Sequence, residues 1–212
     1  MQPERLHRIA GIVDMQLTKT LGLALLLLAL SACGNREVLE PYASANQSTV
    51  SLAGNWVLEG DSAAIARELN RAIRQTDGVR DDRIMAPPRQ GRSRSGGSSR
   101  AQGGLTYVFF ENADALKITQ TPSALFISFN RAIVEEYRFG EMRRISVGQA
   151  EAQRVSGWDG PDYVVETLDR YGMKISERYS LSSDREKLVR EVTFRGRNNE
   201  SATVVQTFAR TT

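Results

Sequence analysis

The chain has 212 residues, with 28 Lys and Arg against 25 Asp and Glu, one cysteine and one histidine. A single cysteine excludes an intramolecular disulfide bond. His7 is the only imidazole, so the rest of the chain has neither the base of a Ser-His-Asp triad nor the ligands of a His/Cys zinc site. We therefore expect no metal, no cofactor and no enzymatic activity. Catalysis by two carboxylates stays open, but the spacing of the available acids singles out no pair: Glu135, Glu136, Glu166 and Glu177.

The N-terminal segment has the pattern of an export signal. An aliphatic run over residues 21–30 follows Lys19 and is too short to cross a bilayer about 30 Å thick, which is typical of a signal-peptide core. Leu30-Ser31-Ala32-Cys33 then resembles the lipobox of bacterial lipoproteins, in which the cysteine is acylated and the leader is removed before it. The resemblance implies a signal peptide over 1–32 and lipidation at Cys33. A start at Met1 or at Met15 fits this pattern equally well.

The residues after the cysteine indicate where the protein resides. The second residue of the mature chain is Gly34, whereas an aspartate there tends to retain Gram-negative lipoproteins at the inner membrane. The resemblance therefore implies the outer membrane, with the domain facing the periplasm and the acyl chains in the lipid. Residues 33–49 comprise this cysteine and a polar stretch. We expect that stretch to be a tether reaching on the order of 50 Å when extended.

The remaining chain, residues 50–212, predicts one β-rich domain that begins with a strand and a helix. Apolar and polar residues alternate from Val50 to Leu58, which indicates a strand. Asp61 suits a helix N-cap, and an amphipathic pattern predicts a helix over 61–75. The arginine-rich segment, residues 76–104, is rich in Gly, Ser and Arg, so we expect a disordered insertion. Its arginines suit lipopolysaccharide or anionic lipid, whereas nucleic acid has no place in this compartment.

From residue 105 onward, short alternating runs are separated by turn signals such as Asp159-Gly160-Pro161. This pattern predicts a mainly β domain, an antiparallel meander of eight or nine strands in a closed or nearly closed barrel. The stretches Trp158-Asp-Gly160 and Val164–Thr167 are similar to uncharacterised bacterial β-rich lipoproteins.

A tripeptide on the first strand resembles a second family. Gly54-Asn55-Trp56 is similar to the Gly-x-Trp of lipocalins, in which the tryptophan closes one end of an eight-stranded barrel. The resemblance implies that a basic residue near the last strand packs across this tryptophan, and the candidates are Arg195, Arg197 and Arg210. The chain departs from lipocalins where a helix and the arginine-rich segment replace their large first loop.

Two function classes follow from this fold. In one, a barrel cavity binds an apolar or amphipathic small molecule; in the other, a non-catalytic structural or assembly module contacts an envelope protein or lipopolysaccharide. Closing a hairpin with Leu181 opposite Leu188 makes two charged side chains diagonal neighbours on an apolar face, which predicts an inward ion pair. The candidate cavity residues are Trp56, Phe129, Tyr137, Glu177 and Arg190.

Overall fold

The computed structural model describes residues 37–44, 50–76 and 105–211. The predicted signal peptide, the lipidation site and all of the arginine-rich segment except Thr76 lie outside the described residues. Within the described part, no helix is long and apolar enough to cross a membrane.

Ten antiparallel strands form a nearly closed barrel, in the order β4-β3-β2-β1-β10-β9-β8-β7-β6-β5. The first strand pairs with both the second and the last, so the meander closes on itself there. The fourth and fifth strands border the open seam, because they are not paired with each other. The strands are β1 Gly54–Leu58, β2 Ala115–Gln120, β3 Ala124–Phe129, β4 Ile133–Arg138, β5 Glu141–Val147, β6 Ala150–Asp159, β7 Asp162–Asp169, β8 Lys174–Leu181, β9 Lys187–Arg195 and β10 Ser201–Thr211.

The predicted count of eight or nine strands was therefore too low. Strands β4 and β5 contain a single buried residue between them, Tyr137. Because each borders the seam, their sequences carry weak apolar alternation and are hard to count as separate strands. The first strand also starts later than predicted, at Gly54. Upstream of it, the Gln120 side chain bonds the Leu52 amide and the Val50 carbonyl, in place of a strand ladder.

The α-helix in the described part of the chain, α1 (Ser62–Gln75), follows β1 as predicted. The Asp61 side chain caps it by accepting a hydrogen bond from the Ala63 amide at 2.9 Å. Its apolar stripe, with Leu69 fully buried, packs in a cluster with Phe194 and other residues of the long strands. Thr76, the first residue of the arginine-rich segment, is buried and hydrogen-bonds the Tyr107 hydroxyl at 2.9 Å, so the packed part extends one residue past the predicted helix.

The two ends of the barrel differ. At the end that we call the helix end lie the β5–β6, β7–β8 and β9–β10 turns, and α1 terminates there with the Thr76 carbonyl close to Gly196. At the opposite end, the tryptophan end, lie the β6–β7 and β8–β9 turns together with Trp56 and Trp158. Strands β1–β4 have five or six residues and β5–β10 have seven to eleven. Because β1–β4 are short, they leave part of the helix end of the barrel open, and α1 covers that part.

Part of the predicted tether is instead packed on the barrel, and we call residues 38–44 the strap. Leu39 is buried against Val155 and Leu168 on the outer face of the sheet. Further along, Ala43 and Trp158 exchange backbone hydrogen bonds of 3.3 and 3.2 Å. A Cβ on Gly157 would lie 2.7 Å from the Ala43 carbonyl oxygen, so the strap approaches this closely only over a glycine. The apolar residues within this mostly polar stretch thus pack against the sheet. The composition of the stretch alone does not indicate that contact.

Candidate ligand site in the barrel interior

A buried ion pair lies inside the barrel, on the register predicted for the β8–β9 hairpin. Leu181 faces Leu188, and Tyr179 faces Arg190. The Arg190 Nη2 and Nε atoms donate to Oε2 of Glu177 at 2.6 and 3.0 Å. The two side chains are 0% and 5% exposed. The predicted pair is therefore confirmed, and it is inward and dry rather than at the rim.

Aromatic rings and polar groups surround the Arg190 guanidinium. Its centre lies 5.0 Å from the ring of Phe110, 5.3 Å from that of Phe129 and 5.6 Å from that of Tyr179, within the range of cation–π attraction. Gln206 accepts from Nη1 at 3.2 Å. The Tyr179 hydroxyl donates to the same Glu177 oxygen at 2.7 Å. Two of the candidate cavity residues, Glu177 and Phe129, thus both lie against Arg190.

Arg190 also holds a stretch of chain that is not a strand. Its Nη2 donates to the main-chain carbonyl of Glu111 at 2.8 Å. We call residues 107–112 the interior segment; it begins within the 3₁₀ helix Leu105–Phe109 and runs toward β2. The rings of Tyr107 and Phe110 both pack edge-on against Phe194, at 5.4 and 5.3 Å. The interior segment therefore occupies space between α1 and the long strands.

A second inward arginine holds the interior segment in the same way. Arg154 donates to the Phe109 carbonyl at 3.3 Å, to the Thr167 hydroxyl at 3.1 Å and to Glu135 at 3.0 Å. Its guanidinium lies 5.6 Å from the ring centre of Tyr137, another candidate cavity residue. Two buried cations therefore donate to main-chain carbonyls two residues apart, Phe109 and Glu111.

Burial shifts the titration of this cluster. Desolvation raises the pKa of the Glu111 carboxyl, and the nearby charges of Glu135 and Glu177 raise it further against the opposing effect of Arg190. Desolvation also raises the pKa of Tyr179. Burial by itself would lower the pKa of Arg190, but interactions with Tyr179 and Glu177 outweigh it and raise the value. The guanidinium therefore stays charged, and the phenol stays a hydrogen-bond donor, at neutral pH.

The remaining candidate, Trp56, lies at the tryptophan end and is fully buried. Its Nε1 donates to the Leu52 carbonyl at 3.1 Å. The Arg210 guanidinium lies 4.2 Å above its ring and donates to the Ala53 carbonyl at 3.1 Å. Of the three basic residues that the lipocalin resemblance proposed, Arg210 is the one over the indole. Trp56 shares a core cluster with Phe129 and Tyr137 but does not contact the guanidinium of Arg190.

Sequence reasoning missed several members of the site. Arg154 follows the alternation of β6, in which Ala152, Ser156 and Trp158 also point inward, so its position was accessible from the pattern. Gln206 is likewise on the buried face of β10. The interior segment gave no comparable signal, since its contacts with Arg154 and Arg190 join residues 45 and 79 positions apart.

The carboxylates that left catalysis open are each engaged in an ion pair. Glu135 pairs with Arg154, Glu136 with Arg138, Glu166 with Lys174, and Glu177 with Arg190. Among the described residues, no group of three or more His, Cys, Asp or Glu side chains is placed to hold a metal ion.

A shallow depression of about 380 Å³ lies where β1, β2 and the end of β3 meet. Its lining includes the exposed side chains of Val57, Lys117 and Arg131, so it opens on the outside of the sheet. It is separate from the Arg190 site. The seven largest fully buried side chains of the described residues are six aromatic ones and Arg190.

Comparison with known proteins gives distant structural likenesses. No protein-family model matches the chain, and no curated protein matches it. A secretory abundant heat soluble protein from Ramazzottius varieornatus is 12% identical, with a TM-score of 0.44 over 79% of this chain and 100% of that one. The REP1-NXSQ fatty acid transporter is 10% identical, with a TM-score of 0.44 over 76% and 96%. A point mutant of the fluorescent protein UnaG is 15% identical, with a TM-score of 0.41 over 76% and 96%. The description of the fold as a nearly closed, ten-stranded antiparallel barrel rests on the strand order and register given above.

Proposed function

We propose that this chain is an outer-membrane lipoprotein, anchored through acyl groups on Cys33, whose periplasmic barrel binds an apolar or amphipathic small molecule. The observation that carries the ligand part is the buried Glu177–Arg190 pair and its hydrogen bond to the interior segment. The lipobox resemblance carries the anchoring part.

A barrel that serves only as a scaffold has no need of such a pair. Taking two charges out of water costs several kcal/mol per ion, and well-packed apolar residues of similar volume are often as stable or more so. Here the Nη2 atom of Arg190 donates a hydrogen bond to the main-chain carbonyl of Glu111, a residue that belongs to no strand. A polar group of a ligand that accepts from Nη2 in place of Glu111 replaces that bond one for one.

The apolar part of the ligand would occupy the space that Phe110 of the interior segment fills in this structure. The Phe110 ring contacts both the Arg190 guanidinium, at 5.0 Å from the ring centre, and the ring of Phe194, at 5.3 Å between ring centres. When the interior segment moves out, this space is lined by Phe129, Phe194 and Tyr179, with the cation at its end. An amphipathic molecule with a hydrogen-bond-accepting head fits that combination, whereas a purely apolar one leaves Arg190 with an unmet donor.

Binding is tested with residues 33–212 carrying Cys33→Ser, using the anionic naphthalene dye 1-anilinonaphthalene-8-sulfonate as a probe. We expect saturable binding that a neutral interior, Arg190→Met with Glu177→Gln, weakens at least tenfold while the protein stays folded. The matched control is Arg178→Met on the outward side of β8, where the guanidinium bonds Asp159 and Asp162. The proposed site would be contradicted if both variants lost dye affinity equally, or if the variant with Arg190→Met and Glu177→Gln lost none.

Anchoring is tested in cells. Cys33→Ser should leave an uncleaved precursor without metabolic acyl label, because the thiol is the acceptor in the family that the lipobox resembles. Normal processing and labelling of the variant would refute the assignment, and fractionation of the acylated protein with the inner membrane would refute the outer-membrane location.

A second function, as a module that contacts an envelope protein or lipopolysaccharide, is favoured by the open seam. Val134 on β4 and Met142 on β5 are 64% and 44% exposed, beside the two strand edges that are not paired with each other in the described part of the chain. Cross-linking in intact cells through a photoreactive residue at position 134 would capture a partner if this function holds. Position 203, an exposed threonine within the sheet, is the control.

A further inference from the structure

We infer that the ligand of the barrel carries a neutral hydrogen-bond-accepting head, such as the carbonyl of an amide or an ester, in preference to a carboxylate or another anion. This inference rests on the proposed ligand site. It goes further in stating the charge of the head group that the site selects. An anionic head still accepts from Arg190, but it binds more weakly than a neutral head on the same apolar chain.

Each of the two inward arginines is already neutralised by a carboxylate. Arg190 donates to Oε2 of Glu177 through Nε and Nη2, at 3.0 and 2.6 Å. Arg154 donates to Glu135 through Nη1 at 3.0 Å. Two positive charges are therefore balanced by two negative charges. Because burying a further anion is costly unless it gains a cation of its own, neither guanidinium compensates that cost.

The acceptors that complete these two guanidiniums are neutral. The Phe109 carbonyl accepts from Nη2 of Arg154 at 3.3 Å, and the Glu111 carbonyl accepts from Nη2 of Arg190 at 2.8 Å. Both carbonyls belong to peptide groups of the interior segment. The group that occupies this position at both arginines is thus an amide. A ligand that takes its place without changing the charge of the site has a neutral acceptor of the same kind.

An anion in place of the Glu111 carbonyl would lie beside the Glu177 carboxylate. The carbonyl and the carboxylate accept from the same nitrogen, Nη2 of Arg190, so their oxygens lie within about 5.5 Å of each other. Like charges at such a separation disfavour the ionised form. The Arg190 and Glu177 side chains are 0% and 5% exposed, so solvent ions screen this repulsion only weakly. The repulsion lowers the affinity of an anion and leaves that of a neutral head unchanged.

The other groups around Arg190 add no positive charge. Gln206, which accepts from Nη1, is neutral. The half-buried Glu111 carboxyl has a pKa that desolvation and the charges of Glu135 and Glu177 raise, against the opposing effect of Arg190. Negative charge therefore already outweighs positive charge at this carboxyl, and the described surroundings of Arg190 disfavour a further anion.

The test compares two probes that differ only in the head group, 11-(dansylamino)undecanoic acid and its primary amide. Each is titrated at neutral pH into residues 33–212 carrying Cys33→Ser, and dansyl fluorescence reports binding. We expect the amide to bind at least tenfold more tightly than the ionised acid, because repulsion worth about one pKa unit changes an equilibrium tenfold. Equal affinity, or tighter binding of the acid, overturns the inference. The absence of saturable binding for both probes overturns the proposed ligand function and this inference with it.

A charge variant provides the second measurement. Glu135→Gln removes one negative charge from the interior and leaves an amide oxygen that can accept from Arg154, so the preference for the amide probe should fall at least threefold. The matched control is Glu136→Gln, the same change at the next residue of β4, where Glu136 pairs with the exposed Arg138. It should leave the preference unchanged. Urea unfolding checks that both variants are folded. An equal preference in the two variants overturns the inference, because interior charge would then not set it.

Discussion

The buried pair of Glu177 and Arg190 makes a quantitative prediction about stability. Arg190→Met leaves the Glu177 carboxylate 5% exposed with the Tyr179 hydroxyl as its remaining described donor, and should cost about 4–5 kcal/mol of unfolding free energy. Glu177→Gln should cost about 3 kcal/mol, the lower end of the range for breaking such a pair. Its amide oxygen still accepts a hydrogen bond, and Arg190 keeps Gln206 and the Glu111 carbonyl.

The double variant should be less damaged than the sum of the single variants. With both charges gone, no uncompensated ion remains in the interior, so we expect a coupling energy of about 2–3 kcal/mol. The control is the outward pair of Asp162 on β7 and Arg178 on β8, with side chains 24% and 38% exposed. Solvent screening there should hold the coupling below about 1 kcal/mol.

The assay is urea unfolding of residues 33–212 with Cys33→Ser, followed by tryptophan fluorescence, with the m-value checked in every variant. An interior coupling no larger than that of the outward pair would refute the reasoning, because the pair would then be effectively solvated. The assay measures the interaction itself and does not depend on any ligand.

Three further predictions concern other parts of the molecule, and a fourth concerns the chain outside the described residues. Arg210→Met should remove the cation from the indole beneath it, shift the tryptophan emission and cost about 0.5–1 kcal/mol in urea unfolding, since Arg210 is exposed; unchanged emission would contradict the packing. Gly157→Ala should push the strap off the sheet, so that the pKa of Tyr42, raised to about 12 chiefly by burial, falls toward 10.0 in an alkaline absorbance titration, whereas an unchanged value would mean that the strap stays seated. Glu111→Gln should raise the urea midpoint at neutral pH, because a carboxyl whose folded-state pKa is raised destabilises the fold when ionised. The gain should shrink as pH falls through the folded-state pKa and vanish below the unfolded value of 4.5, so a gain that persists at low pH would point to another cause. Limited trypsin digestion should cut first within the arginine-rich segment, and earlier cutting in the strands would contradict its predicted disorder.

Local patterns in the sequence were enough to predict the position of α1 and the register of the β8–β9 hairpin. The Asp61 cap and the apolar stripe behind it place α1 to within a residue. The alternation on either side of the β8–β9 turn fixes a register that pairs Tyr179 with Arg190, because a one-residue slip would turn every side chain to the wrong face. Both signals lie within stretches of roughly twenty residues, where neighbouring side chains and turn geometry determine the outcome.

Other features depend on residues far apart in the chain. The tether was predicted from composition, yet Leu39 is buried because folding brings Val155 and Leu168 together on the outer face of the sheet. The interior segment is held by Arg154 and Arg190 only after β1 closes on β10 and the short strands leave room beside α1. No local periodicity encodes a hydrogen bond from a side chain to a main-chain carbonyl 79 positions away. The sequence by itself thus determined the helix, the β8–β9 register and the charged pair, whereas the number of strands and what that pair holds were decided by the closure of the barrel.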